Sequence, residues 1–219
     1  MPKTSFQSKK EIAVVVVEGD ADELIMNKLF SYYREKGWNP NFEIKVKNIG
    51  GFPDESKIRS KLEQIRHSLK SNRLEICFRV VCCEFDTDVI IKGLREAPDW
   101  NKVERKLMKD YRDVKGFCTV EAETSIEDWM LDDLDGLLRV LKLPDNTKVV
   151  GQCGLDKVSN LFRKKNIHYD RNKGKKTIEP IISQLDIEKI RNVRMKELKK
   201  MEEFRRLQIM WQDLRTAMQ

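Results

Sequence analysis

The sequence predicts an α/β fold: a doubly wound, mostly parallel sheet followed by a helical C-terminal extension. Three observations carry this expectation. Residues 12–17 (IAVVVV) and 74–85 (LEICFRVVCCEF) are largely apolar, β-branched runs, as expected of strands covered on both faces. Between and after them the apolar period switches to that of helices. Strand and helix signals then alternate four times up to residue 145, the pattern of parallel strands joined by helical crossovers.

Taken in order, Asp20 is placed to cap a helix with Glu23 three residues on. Leu24, Met26, Leu29, Phe30 and Tyr33 supply its apolar face, and Gly37 stops it. Residues 42–46 alternate like a strand, broken by Gly50, Gly51 and Pro53. Helices are expected over 54–69, 100–111 and 125–140, with a short strand over 116–120. Beyond residue 145, Val149 and Val150 suggest one more strand, and helices are expected over 155–165, 178–190 and 195–218. The last of these carries a stripe of Leu198, Met201, Phe204, Leu207, Met210, Trp211 and Leu214, suited to packing on the body or to a partner helix. The division is therefore an α/β domain over 1–145 and a basic helical extension over 146–219.

The charge of this 219-residue chain is uneven. The first 160 residues hold 27 basic and 28 acidic side chains, the remainder 16 and 8, for a net charge of +7. A basic flank on a near-neutral body suits a polyanion, because clustered Lys and Arg release counterions from phosphates. Arg171, Lys173, Lys175 and Lys176 concentrate that charge within six residues, next to His168 and Tyr169; they are the candidate substrate-binding residues, with Tyr169 able to stack on a base. The five cysteines form no CxxC pair, so reduced thiols and a cytoplasmic location are expected. No apolar run approaches the roughly 18 residues of a membrane helix, so no membrane partner is expected. Neither a GxGxxG after a strand nor a P-loop is present.

Candidate chemistry lies at the carboxyl ends of the two apolar strands, where open α/β sheets bind ligands. Glu18, Asp20 and Asp22 follow the first, Asp86 and Asp88 the second. Side by side, these groups repel unless a cation or protons offset them. Hard oxygen donors select Mg2+, or Mn2+. Asp20 drops out as the helix cap.

The run VVVVEGDADELI resembles the first motif of the Toprim family, a hydrophobic strand followed by Glu-Gly-x-x-Asp, and VVCCEFDTDVI resembles its second, a hydrophobic strand ending in Asp-x-Asp. The segment VEAETSIEDWMLDD is similar to one in small standalone Toprim-like proteins of bacterial anti-phage defence, the RloB type among them, with Glu127 and Trp129 as the matching positions. Thr124 with Glu127 reads equally well as a capping box. The resemblance covers about residues 12–135. It implies a Toprim-like domain in which Glu18 serves as general acid or base or shares the metal, Asp86 and Asp88 hold Mg2+, and Asp22 and Glu127 support the metal. It further implies a metal-dependent nuclease acting on RNA or DNA in anti-phage defence. Val89 and Ile90 stand where primases and topoisomerases often have a glycine, and the chain is too short for the accessory domains of either. A non-catalytic module that binds nucleic acid or a partner ATPase, a homo-oligomer joined through the last helix, and a phosphotransfer enzyme acting on nucleotides are the alternatives.

Overall fold

The computed structural model describes residues 9–38, 40, 42–70, 75–170, 174–203 and 205. They form four strands, β1 (Lys9–Val17), β2 (Glu43–Asn48), β3 (Glu75–Asp86) and β4 (Gly116–Ala122), in one sheet of order β2-β1-β3-β4. Every neighbouring pair is parallel. Helices α1 (Asp20–Glu35), α2 (Glu55–Lys70), α3 (Asp88–Ile91) and α4 (Trp100–Asp110) fall between the strands. After β4 come α5 (Ile126–Asp132), α6 (Leu134–Val140), α7 (Gly154–Arg163), α8 (Lys175–Ile182) and α9 (Ile187–Val193).

The sheet is covered on both faces, which is why its inner strands are continuously apolar. On one face Val14, Val16, Val81 and Cys83 pack against Ile58 and Leu62 of α2 and Val103 and Leu107 of α4. On the other, Ala13, Val15, Val17 and Cys82 meet α1, α5 and everything that follows: Val158, Leu161 and Phe162 of α7, Ile178, Ile181 and Ile182 of α8, Ile190 of α9, then Leu198 and Met201. The described helices beyond residue 145 thus share one core with α1 and α5. Each such buried aliphatic or aromatic side chain contributes about 1.5–3 kcal/mol.

One irregularity sets which way β3 faces. Ile12 pairs with Phe78 but Ala13 with Val80, so Arg79 is an extra, bulged residue. Before the bulge Ile76 and Phe78 face α2 and α4; after it Val80 and Cys82 face α1. The bulge therefore turns the even-numbered end of β3 toward α1.

Several local expectations are corrected. The N-cap of α1 is Gly19, not Asp20, which begins the helix and accepts from Asn48 Nδ2 at 2.9 Å. The helix expected over 125–140 breaks at Asp133, whose carboxylate accepts from Gly136 N and, at 2.7 Å, from Asp186 N. The helix expected over 178–190 also breaks, and Asp186 caps the new start of α9 by accepting from the backbone of Glu188 and Lys189. Val149 and Val150 lie in no strand. Of the last apolar stripe, Leu198 and Met201 are buried in the body, while Phe204, Leu207, Met210, Trp211 and Leu214 lie outside the described residues.

All five cysteines are free thiols. Those of Cys82 and Cys83 are pushed well up, Cys82 by a hydrogen bond with Cys118 and by burial, Cys83 by burial first, which keeps both protonated and unreactive. Among the described residues no helix is long and apolar enough to cross a membrane.

Candidate metal centre

The order β2-β1-β3-β4 places a topological switch point between β1 and β3, because the chain leaves them toward opposite faces. The carboxylates gather there. Asp22, in the first turn of α1, and Glu84 and Asp86, two residues apart on the α1 side of β3, each offer an oxygen within 4.8 Å of the others. Their relative exposures are 0, 0 and 1%, so bulk water does not screen them. Two unit charges at that separation repel by about 3–4 kcal/mol at an effective dielectric of ~20. A group of three all-oxygen donors this close can hold a metal ion, and hard divalent cations are the ones such donors prefer.

Backbone contacts fix the frame. Asp86 Oδ1 accepts from Ile126 N, the first residue of α5, at 2.8 Å. Asp86 N in turn donates to Glu18 Oε1 at 3.0 Å. The positive ends of α1 and α5 therefore both point into the acidic centre. Glu18 is anchored as well through its carbonyl, which accepts from Gly51 N at 2.7 Å. Gly50 and Gly51 hold φ values of +72° and +102°, a turn after β2 that side chains other than hydrogen disfavour.

The other sequence-derived candidates are distributed around this centre. Asp88 lies outside the converging group: β3 ends at Asp86, α3 begins at Asp88, and its carboxylate pairs with Lys92 Nζ at 2.8 Å. Glu127 is fully buried one residue beyond the Asp86 contact and accepts from the Tyr169 phenol at 2.9 Å. Thr124 makes no capping box with it; at φ +74° its hydroxyl bonds Asp128 instead, and Ser125 is the N-cap of α5. Trp129 is buried and donates its indole N–H to Glu197 Oε2 at 3.0 Å. Tyr169 is buried against Phe162, ring centroids 5.0 Å apart, so it presents no face for stacking on a base. His67 is exposed on α2, and His168 lines a cavity of about 380 Å³ with Arg163 and Ser159.

Of the basic cluster, Arg171 and Lys173 lie outside the described residues. Lys175 begins α8 and pairs with Glu23 Oε1 at 3.0 Å, one residue from Asp22, and Lys176 is exposed beside it. Lys175 is thus docked against the same turn of α1 that supplies Asp22.

Glu84 is the member that strand-end reasoning omits. Its signal is the spacing Glu84-x-Asp86, which puts two carboxylates on one side of a strand. Fold and site together define an α/β protein with a cation-competent acidic centre at its switch point. Comparison with protein-family models, with curated proteins and with solved structures finds no match to this chain.

Proposed function

We propose that the chain is a Toprim-like, Mg2+-dependent nuclease that cleaves phosphodiesters of RNA or DNA. The observation that carries this reading is the convergence of Asp22, Glu84 and Asp86 within 4.8 Å at the β1/β3 switch point. These three would hold the cation, with Mn2+ able to replace Mg2+. When bound, the ion supplies Lewis-acid stabilisation of phosphoryl oxygens. Asp86 is oriented for this by Ile126 N, and Glu18 by Asp86 N. Glu18 handles the proton of the attacking water at its carboxylate. Lys175 and Lys176 place positive charge beside the same turn of α1, in keeping with a phosphate-chain substrate. The anti-phage setting follows from the sequence resemblance alone.

The near-complete burial of the three acids favours one alternative, a non-catalytic module in which the cation is structural. A single experiment separates the two. Purified protein is incubated with end-labelled RNA and DNA in Mg2+ or Mn2+. Cleavage is expected, abolished by EDTA and reduced about 100-fold or more in Asp86→Asn, provided circular dichroism shows an intact fold. Failure to cleave any polymer, with thermal stabilisation by the cation retained, overturns the nuclease and leaves the structural ion.

A further inference from the structure

A second feature lies at the outer edge of β4. The turn segment after α9 runs past the outer edge of β4 and leaves a cavity of about 400 Å³ lined by Thr87, Thr119, Glu121, Glu123, Glu197 and three lysines, Lys196, Lys199 and Lys200. Thr87 immediately follows Asp86 in the chain and donates its hydroxyl to Ala122 O, at the end of β4, at 3.1 Å. The lysines stand at i, i+3 and i+4, spacing that puts all three on one side of a helical turn. All three are exposed. Lys200 Nζ donates to Thr119 Oγ1 at 3.0 Å, which fixes one ammonium on the cavity wall.

The acidic residues of the lining are not equivalent. Glu197 is used internally: it accepts from Trp129 Nε1 and Glu123 N and pairs with Arg194 at 3.0 Å. Its charge is therefore offset by a guanidinium. Glu121 and Glu123 are exposed at the rim. The cavity thus has three ammonium groups, two hydroxyls and two rim carboxylates at the outer edge of β4.

Resting on the nuclease reading, we propose that this cavity is a phosphate subsite that holds a nucleic-acid backbone at the outer edge of β4. Lys196, Lys199 and Lys200 contact the phosphates without reading sequence, and the rim carboxylates Glu121 and Glu123 oppose over-tight retention of the polyanion. Binding is tested apart from cleavage, by anisotropy of a labelled single-stranded oligonucleotide in EDTA across a salt series. The double variant Lys196→Ala/Lys199→Ala should weaken binding and reduce the slope of log K against log salt by about 1.4, near 0.7 for each ammonium lost. The double variant Glu121→Gln/Glu123→Gln should instead tighten it. Unchanged affinity and slope in the lysine variant, a shift of both variants in the same direction, or no binding by the wild-type chain overturns the subsite. Lysine-dependent binding without cleavage by the wild-type chain sinks the nuclease reading alone.

Discussion

The fold buries carboxylates in two different ways. Glu202, 2% exposed, is surrounded by donors: Tyr33 Oη at 2.6 Å, Arg191 Nε at 2.7 Å and Arg205 Nε at 3.0 Å. Both guanidinium groups also lie over the Tyr33 ring, 5.8 and 5.0 Å from its centroid. Burial alone would push this carboxyl up, yet the hydrogen bonds from Tyr33 and Arg191 and the charges of Arg205 and Arg191 hold it below its ordinary value. At the switch point, by contrast, Asp22, Glu84 and Asp86 are set against one another. An acid buried to latch the C-terminal segment brings its counter-charge from the chain. The acids at the switch point are instead grouped closely enough to share a metal ion.

Three measurements sharpen or break this contrast. The largest effect is expected at the latch. Glu202→Ala leaves two arginines without their carboxylate and should cost about 3–5 kcal/mol in chemical denaturation. A loss below about 1 kcal/mol would mean that the latch is ornamental. Next, Mg2+ or Mn2+ at 100 times its Kd should stabilise the wild-type protein by about 2.7 kcal/mol. Glu84→Gln should abolish that gain. If the variant keeps the full gain, the cation sits elsewhere. The smallest effect concerns pH. Because the folded-state value of Glu202 is depressed, its contribution is present above its ordinary 4.5 and lost as pH falls through the folded value. The stability difference between wild type and Glu202→Gln should therefore be largest above pH 4.5 and shrink in more acidic buffer. A pH-independent difference would assign the latch to packing.

Much of the framework is legible in the residues themselves. The β-branched run before Glu18 and the apolar run before Asp86 are strands for the reason inferred, burial on both faces. Glu18, Asp22 and Asp86 do reach the same switch point. The sequence hides what depends on distant partners. The break at Asp133 is set by Asp186, 53 residues away. The placement of Asp88 depends on where β3 stops: an Asp-x-Asp pair shares a side only while the strand continues, and α3 starts at Asp88. Glu84 sits inside an apolar run, and its orientation is unreadable without knowing of the bulge at Arg79. Tyr169 looks like a surface aromatic in a basic loop until Glu127 is seen to hold it inside.

That bulge has a consequence for how this chain can change over time. A strand has only two orientations to offer, so one inserted or deleted residue inverts everything downstream of it. Arg79 is such an insertion, and its pairing with Glu11 ties it to the neighbouring strand. Were it deleted, Glu84 and Asp86 would be aimed at the apolar side lined by α2 and α4, and Cys83 and Phe85 at α1. Substitution at 79 is tolerable in this geometry, whereas a change of length between residues 76 and 82 is not. In lineages derived from this chain, β3 is expected to vary in letters there but to hold its count.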